Sequence, residues 1–444
     1  MIVKQFDKSR HKKWRLTPPC AKVWPMNIHF IGIGGIGMSA LARYYKERGH
    51  NVTGSDSEDS TILEALREEG ILVEVGHSAE YVKNADRVVY TEAIPTDNVE
   101  LRAAHNPQTY FEALGEISKE YKTIAVAGTH GKTTTTAILT RILLAAGDPT
   151  IFIGTNMKEL NDRNFRLGEG EWMAVEACEY RRSFLHLQPQ MVVLTNLELD
   201  HPDYYSDLED YLDAFRELVA KLPEDGVVIA NGKDENVRKV AEGANCKVIY
   251  FETEPGKFEL KVPGKHNLMN AMAAFTAARE TGASDEVMIE AVNSFEGSWR
   301  RFEYKGEVNG ALVYDDYAHH PTEVQAAILG AREKFPERRL IAVFEPHQYN
   351  RTRHFLEEFA KSFKNADEVI IPSIYQVRDS QEDLDAVSPE KLVLELSKYH
   401  ANVGFQDGYE TAAQYLKNTA TENDLILVMG AGPVWKVAEE CVSL

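Results

Sequence analysis

Short runs of β-branched and apolar residues alternate with helical patterns along almost the whole chain of 444 residues. This alternation constrains the fold most, because neighbouring parallel strands need crossover connections, which are usually helices. The runs form three groups, which hold NIHFIGIGG and NVTGSD, then TIAVAG and MVVLTNL, then ALVYDDY and RLIAVFEP. The pattern therefore predicts an α/β protein of three domains, with joints near residues 120 and 298. Residues 1–25 lie outside the alternation and are expected to form an extension, in its simplest form a poorly ordered basic tail.

Length, charge and cysteine content exclude several classes of protein. A chain of 444 residues is long enough for about two to four domains. The formal net charge of −20 argues against nonspecific binding of nucleic acid, although backbone N–H groups can still bind phosphates. No run approaches the roughly 20 apolar residues of a membrane span, and the basic N-terminus, with no apolar region after it, is not expected to be a secretory signal. The four cysteines form no CxxC pair, which predicts no cysteine metal site and favours the reducing cytoplasm.

A glycine-rich turn opens the first group, between a strand and the helical pattern MSALARYYKERG. Gly32, Gly34 and Gly37 form G-x-G-x-x-G, and Asp56 ends the next strand about 20 positions later. In this setting the turn is typical of pyrophosphate binding at a helix N-terminus, with the acidic residue on a ribose hydroxyl. The motif alone does not separate a nicotinamide dinucleotide from another pyrophosphate compound, and a tight turn without a ligand is the alternative.

A second glycine-rich turn opens the second group, where AGTHGKTTTT joins a strand to a helix. Its glycines free backbone N–H groups for phosphates, Lys132 can reach the β- and γ-phosphates, and the Thr133 hydroxyl can bind Mg²⁺. The spacing departs from the usual G-x-x-x-x-G-K-[ST], because Val126 stands at the first glycine and Gly128 comes two residues later. The turn nevertheless predicts a site for a nucleoside triphosphate.

Polar residues follow several of the predicted strands. Glu176 ends WMAVEA, and Asp200 and His201 follow MVVLTNL. Strand carboxyl ends are where α/β sites form, and carboxylates suit Mg²⁺ while imidazole is a less usual ligand. Asn267 and Asn270, at the start of another helix, can read an adenine edge, although capping by Asn267 is an equal alternative. Two further clusters, DDYAHHP and then PHQYNRTR, predict a polar pocket in the third group, with exposed loop residues as the alternative.

These motifs occur in the order seen in the Mur ligases, which the chain resembles from about Met26 to its C-terminus. The motifs are AGTHGKTTT, TNLELDH, GKHNLMNAMAA, SWRRFE, DDYAHHPTEV and EPHQYNRTR, after the glycine-rich first domain. Within the family the chain is most similar to the type that joins L-alanine to UDP-N-acetylmuramate. This similarity rests on GIGGIGMSALA, DDYAHHPTEV and the pattern P-H-x-Y-x-R-T-R at Pro346–Arg353.

The resemblance implies a fold and a reaction. A Rossmann-like domain over residues 26–120 would hold UDP-muramate, a P-loop ATPase-like parallel sheet over 121–298 would hold ATP and Mg²⁺, and a Rossmann-like domain over 299–444 would hold the amino acid. ATP would phosphorylate the lactyl carboxylate, and the amine of L-alanine would attack the acyl phosphate, giving an amide, ADP and phosphate for peptidoglycan synthesis. The implied enzyme is cytoplasmic, monomeric or homodimeric, and binds neither nucleic acid nor membrane.

The resemblance also implies a role for individual residues. The catalytic residues are expected to be Lys132, Glu176, His201 and His319. Mg²⁺ is expected to be bound by Thr133, Glu176 and His201. ATP is expected to contact Gly128, Thr129, His130, Gly131, Lys132, Thr133, Thr134, Asn267, Asn270, Arg301 and Asp316. UDP-muramate is expected to contact Gly34, Gly35, Ile36, Gly37, Asp56 and His77. The amino acid is expected to contact Tyr317, His319, His347, Gln348 and Arg351.

Three departures from the family pattern qualify these expectations. Where the pattern has E-A-D-E-S-D or E-A-D-E-Y-D, this chain has Cys178 and Arg181 in place of two acidic residues. Gln348 stands where an arginine usually binds the amino-acid carboxylate, so the resemblance does not decide which amino acid the protein uses. Residues 1–25 have no family counterpart. A related Mur ligase that adds another amino acid or murein tripeptide is therefore the alternative within the family.

Three rival functions come from other classes of protein. A nicotinamide-dependent oxidoreductase explains only Gly32–Gly37, and a P-loop motor or switch explains only the second turn. A UDP-sugar sensor without catalysis does not need Lys132, Thr133, Glu176 and His201 together. The ligase explains all of these features.

Overall fold

The computed structural model describes residues 24–254 and 256–443, so most of the predicted N-terminal extension lies outside the described residues. The described chain forms three sheets of five, seven and six strands, each with helices on its faces. The prediction of three α/β domains is thus confirmed. The joints near residues 120 and 298 stay predictions; they fall between Ser118 and Lys122 and between Asn293 and Glu303, where one set of elements ends and the next begins. No helix of the described part is both long and apolar enough to cross a membrane.

The first sheet is parallel and lies nearest the N-terminus. Its strands are β1 (Asn27–Ile31), β2 (Asn51–Asp56), β3 (Leu72–Val75), β4 (Arg87–Tyr90) and β5 (Gln108–Thr109), and its helices are α1 (Ile36–Glu47), α2 (Thr61–Glu68), α3 (Val99–Ala103) and α4 (Tyr110–Ser118). The order is β3-β2-β1-β4-β5. Strand β1 is central and buries four of its five residues, so its carboxyl end delivers the glycine-rich turn to the middle of the sheet edge.

The central sheet carries the second glycine-rich turn. Its strands are β6 (Lys122–Ala127), β7 (Thr150–Met157), β8 (Arg163–Arg166), β9 (Trp172–Glu176), β10 (Pro189–Leu194), β11 (Val227–Asn231) and β12 (Lys247–Phe251), and its helices are α5 (Lys132–Ala146), α6 (Leu208–Ala220), α7 (Glu235–Ala241), α8 (Lys265–Glu280) and α9 (Asp285–Asn293). The order is β12-β11-β10-β6-β9-β7-β8, parallel except for β7 with β8. Strands β9, β6 and β10 are neighbours, so the residues that follow them meet at one edge.

The third sheet is mixed, with one antiparallel edge. Its strands are β13 (Glu303–Val308), β14 (Ala311–Asp316), β15 (Arg339–Phe344), β16 (Glu368–Ile371), β17 (Val403–Phe405) and β18 (Asp424–Met429), and its helices are α10 (Pro321–Lys334), α11 (Tyr349–His354), α12 (Leu356–Ser362), α13 (Gln381–Ala386), α14 (Pro389–Leu396), α15 (Tyr409–Thr419) and α16 (Trp435–Val442). The order is β13-β14-β18-β15-β16-β17, with only β13 antiparallel. Helix α10 begins with Pro321 and with a capping box between His320 and Glu323.

The first sheet is fixed to the central one by a shared core. The ring of Tyr44 on α1 lies 5.8 Å from that of Phe152 and 6.1 Å from that of Phe165, on β7 and β8. The guanidinium of Arg43 donates to the Asn164 Oδ1 atom at 2.9 Å, and Asn164 is completely buried. Buried polar groups of this kind fix orientation, because any other arrangement leaves them without partners. The contact holds the first domain at a defined position on the domain that carries the second turn.

Candidate active site

The turn between β6 and α5 has a backbone shape that only glycine allows at two positions. Gly128 has φ +136° and Gly131 has φ +79°. A Cβ atom at Gly131 would lie 2.3 Å from the Asn270 Oδ1 atom, and one at Gly128 would lie 2.1 Å from the Thr195 Oγ1 atom. The first turn of α5 holds no acidic residue, so the positive end of its dipole faces the site uncompensated. The geometry fits the expected cradle for phosphates.

Lys132, the first residue of α5, is held by the turn itself and by a buried carboxylate. Its Nζ atom donates to the carbonyl oxygens of Gly128 at 2.7 Å and Thr129 at 2.9 Å, and lies 3.0 Å from the Glu179 Oε2 atom. Burial is the largest single influence and opposes the charge of Lys132, but Glu179 and the neighbouring groups together raise the lysine pKa above its ordinary value. Sequence reasoning did not select Glu179. Its position could have identified it, because it lies three residues after Glu176, in a loop that follows a parallel strand.

Thr133 and Glu176, two of the three predicted Mg²⁺ ligands, are in direct contact. The Thr133 hydroxyl donates to the Glu176 Oε1 atom at 2.7 Å, and the Glu176 Oε2 atom accepts from the Gly154 N–H at 3.0 Å. Arg301 of the third domain donates to the same hydroxyl at 3.2 Å. A hydroxyl and a carboxylate are the hard oxygen donors that Mg²⁺ prefers, so the residues present fit the ion.

The third predicted ligand, His201, lies on the other side of Glu179. Its Nε2 atom is 3.2 Å from the Glu179 Oε1 atom, and its backbone has φ +55°, which is uncommon for a residue other than glycine. The Glu179 Oε1 atom therefore contacts both the Lys132 ammonium, at 3.1 Å, and the His201 ring. This carboxylate links the phosphate-binding turn to the loop after β10 and fixes the His201 ring.

Cys178, one of the two departures in this loop, stays a neutral thiol. Burial, and then the neighbouring Glu179, raise its pKa to about 12. Arg181, the other departure, has φ +52° and stacks on the Tyr180 ring at 5.4 Å. The carboxylate that contacts Lys132 and His201 comes from Glu179, so the loss of acidic residues at 178 and 181 leaves this link in place.

A cavity of about 390 Å³ lies between the central and third domains. It is lined by predicted ATP contacts from both domains: His130, Gly131, Thr134, Asn267, Asn270, Arg301 and Asp316. The Asn267 amide donates to the Pro263 carbonyl at 2.6 Å, which anchors the start of α8 instead of capping it. Asp316 accepts from the Phe302 and Ala318 N–H groups, both at 2.8 Å, and so shapes the opposite wall. The volume suits part of a nucleotide.

His130 connects the turn before α5 to the third domain. Its Nε2 atom pairs with Glu198 of the central domain, and its Nδ1 atom lies 3.0 Å from the Glu323 Oε1 atom on α10. Burial opposes the charge of the imidazole, but Glu323 and then Glu198 raise its pKa to about 9. The sequence analysis did not select Glu323 as a site residue, although its spacing from His320 is that of a capping box. His130 is therefore a cation between two domains.

The predicted amino-acid residues lie on one face of the third domain, toward the loop after β10. The ring of His319 lies 5.4 Å from that of Tyr317 and 6.1 Å from that of His347. Burial is the main cause that lowers the pKa of His319 to about 4 and that of His347 to about 2, so both rings are neutral at physiological pH. The structure thus brings these three residues together.

Gln348 and Arg351 reach the same face, but the protein itself engages their side chains. Arg351 donates from Nε and Nη2 to the Asp200 Oδ1 atom, at 3.0 and 2.8 Å, and both side chains are buried. Gln348 is buried, has φ +75°, and its amide lies 3.4 Å from the Val377 carbonyl oxygen. Their binding of an amino acid stays a prediction, and the pair between Arg351 and Asp200 joins the third domain to the central one.

The first glycine-rich turn, with its predicted UDP-muramate contacts, is arranged around Asp56. The Asp56 Oδ2 atom accepts from the Gly34 N–H at 2.8 Å, and a Cβ atom at Gly37 would lie 2.7 Å from the Tyr110 ring. Gly35 and Ile36 complete the turn and begin α1. His77 lies 3.1 Å from the completely buried Glu100, which sequence reasoning missed because it lies in the five-residue helix α3.

Comparisons with known proteins agree with this arrangement. The profile of the Mur ligase family catalytic domain matches residues 27–122, that of the Mur ligase middle domain matches 126–258, and that of the glutamate ligase domain of Mur ligases matches 300–432. A UDP-N-acetylmuramate–L-alanine ligase from Clostridium botulinum is 39% identical over 451 residues, covering 94% of this chain and 98% of the relative. The chain belongs to the Mur ligase family.

Two solved structures show the same architecture as this Mur ligase. The UDP-N-acetylmuramate–alanine ligase of Thermotoga maritima superposes with a TM-score of 0.78 at 28% identity, covering 94% of this chain and 98% of that one. The murein peptide ligase of Psychrobacter arcticus superposes with a TM-score of 0.71 at 25% identity, with the same coverage. Each of the three matched profiles falls on one of the three sheets of this Mur ligase.

Proposed function

We propose that this Mur ligase forms the amide bond between UDP-N-acetylmuramate and L-alanine, with conversion of ATP to ADP and phosphate, in peptidoglycan synthesis. The observation that carries the proposal is the start of α5, where Thr133 donates to Glu176 and accepts from Arg301 of the third domain, beside Lys132 in the phosphate-binding turn. Full-length similarity to alanine ligases supports the choice of substrates. The reducing cytoplasm suits a chain without a cysteine framework.

The first chemical step is phosphorylation of the lactyl carboxylate. The N–H groups at the start of α5 and the Lys132 ammonium would hold the phosphates of ATP, because these donors already converge on the glycine-rich turn. Mg²⁺, held by Thr133, Glu176 and His201, would neutralise charge on the transferred phosphoryl group. Phosphorylation converts a poor leaving group, an oxide, into a good one.

The second step is attack of the amine on the acyl phosphate. The C–N bond forms, the C–O bond to phosphate breaks, and the amine must give up a proton. His319 is neutral at physiological pH, and its Nδ1 atom lies 3.0 Å from the Tyr317 carbonyl oxygen. If this carbonyl takes the ring N–H, the Nε2 atom carries the lone pair that can accept a proton. Glu323, 3.3 Å from the Nδ1 atom, would stabilise the charged ring.

A second candidate is ligation of murein tripeptide, because the Psychrobacter arcticus relative is a murein peptide ligase. An assay of ADP release with UDP-N-acetylmuramate and, in turn, L-alanine, glycine, L-serine and murein tripeptide separates the two. The expected result is release with L-alanine that exceeds the others and needs UDP-N-acetylmuramate. Release with murein tripeptide alone would refute the proposal, and turnover of ATP without UDP-N-acetylmuramate would point to the motor class.

A further inference from the structure

The carboxylate of the incoming amino acid requires a cation, and this inference rests on the proposed function. Only the amine of L-alanine reacts, so its carboxylate must be bound while still charged. Charge-assisted hydrogen bonds, above all from arginine, are the usual means, because the planar guanidinium fits both carboxylate oxygens. Position 348, where the family pattern has an arginine, is Gln348 here.

Two arginines near Gln348 are already neutralised by carboxylates of the protein. Arg351 is buried and donates twice to Asp200. Arg353 is half-exposed and pairs with Glu382 at 3.0 Å and Asp383 at 3.2 Å. A substrate carboxylate would have to displace a protein carboxylate from either one, and at Arg351 it would leave Asp200 buried without its partner.

Arg378, in the loop between β16 and α13, has no such partner. It is exposed, its backbone has φ +57°, and within the described ranges it forms no ion pair. Its guanidinium lies 4.8 Å from the centre of the Tyr180 ring, which belongs to the central domain. It also contributes, after burial, His319 and Arg351, to lowering the pKa of His347. Arg378 therefore lies between the loop after β9 and the predicted amino-acid face.

Gln348 holds the segment that carries this arginine. The Gln348 N–H donates to the Tyr375 carbonyl at 2.9 Å, and its amide approaches the Val377 carbonyl at 3.4 Å, one residue before Arg378. The Tyr375 N–H donates to the Pro346 carbonyl at 2.9 Å, and the rings of His347 and Tyr375 stack at 5.3 Å. The residue that replaces the expected arginine thus supports a loop that brings another arginine to the same face.

We propose that Arg378 binds the carboxylate of the amino-acid substrate, taking over the task that the family pattern gives to position 348. The Tyr180 ring positions the guanidinium, because a cation above an aromatic face is attracted by the ring. Arg181 stacks on the same ring at 5.4 Å, but it does not belong to the loop that Gln348 holds. Gln348 acts as a positioning residue for the loop.

The test compares L-alanine with L-alaninamide, which carries a neutral carboxamide in place of the carboxylate. Arg378→Ala is expected to raise the KM for L-alanine about ten-fold or more, since it removes charge-assisted bonds. The KM values for L-alaninamide, ATP and UDP-N-acetylmuramate should stay unchanged. Arg378→Lys should recover part of the affinity for L-alanine. Arg353→Ala, which removes an arginine from the same region, is the matched control and should leave the KM for L-alanine unchanged.

The outcomes separate this inference from the proposed function. A wild-type enzyme that uses none of the free amino acids refutes the proposed function. A wild type that uses L-alanine, together with an Arg378→Ala variant whose KM for L-alanine is unchanged or rises equally for L-alaninamide, overturns the inference alone. The inference is also overturned if the KM for L-alanine rises in an Arg181→Ala variant and not in Arg378→Ala. Calorimetric binding of UDP-N-acetylmuramate confirms that each variant is folded.

Discussion

The link between His130 and Glu323 is expected to make docking of the third domain on the central domain depend on pH. His130 belongs to the turn before α5, and Glu323 to α10 of the third domain, 3.0 Å away. The pKa of His130 is raised to about 9, against burial, by Glu323 and then Glu198. A histidine with a raised pKa stabilises the docked state fully below its ordinary pKa of 6.5, and the contribution is lost as pH rises through about 9.

The size of the effect follows from the two carboxylates. A rise from 6.5 to about 9 corresponds to about 3 kcal/mol of preference for charged His130. Glu198 lies on the same domain as His130 and keeps its contact when the third domain moves away. Only the part of this preference that comes from Glu323 belongs to docking, which leaves on the order of 1–2 kcal/mol. This changes the ratio of docked to undocked molecules roughly 5- to 30-fold.

Glu323→Gln is the perturbation that isolates this share. At pH 8 the variant should scatter X-rays as a larger particle than the wild type and should show a lower histidine titration midpoint by NMR. At pH 10 the two proteins should converge, because His130 is then neutral in both. Glu333→Gln, an exposed position on the same helix, is the matched control. A variant that matches the wild type in both measurements at pH 8 would refute the reasoning.

Three further predictions concern the catalytic turn and its neighbours. Lys132→Ala should leave binding of UDP-N-acetylmuramate intact by calorimetry and lower ligation on the order of a thousand-fold; near-normal turnover would exclude the assigned role. Glu176→Gln should raise the Mg²⁺ concentration needed for ADP release, and an unchanged Mg²⁺ titration would make Glu176 structural. Asp200→Asn leaves the Arg351 charge buried, at a cost of about 3–5 kcal/mol, so the interface should open to limited proteolysis, and Asp200→Asn with Arg351→Gln should partly restore protection.

Most of the fold was predictable because central parallel strands are continuous apolar runs. Strand β18, for example, buries all six of its residues, and its sequence DLILVM shows this directly. The strands that sequence reasoning missed are mostly edge strands, such as β3, where three of four side chains are exposed, and β5, which has two residues. Edge strands need no apolar run, because one side and part of their faces meet solvent.

The parts of the site that lie at strand ends were also predictable. Glu176 ends β9 and His201 follows β10, and these strands flank β6, which leads to the turn before Lys132. Parallel strands place such residues at one edge whatever the rest of the chain does. In contrast, Asp200 meets Arg351 across 151 positions, and which carboxylate an arginine chooses depends on how two domains dock. No local pattern contains that information.

Three cations of the site are each paired with a carboxylate of the protein. Lys132 pairs with Glu179, Arg351 with Asp200 and His130 with Glu323, and all three carboxylates are largely shielded from solvent. Each pairing fixes a cation in position before a ligand binds, which lowers the cost of ordering it later. A fixed cation is also a partly neutralised one, so a substrate anion gains most from a cation that no carboxylate of the protein holds. Next to the amino-acid face Arg378 meets that condition within the described chain, and the loop that Gln348 holds distinguishes it from Arg181, which stacks on the same Tyr180 ring.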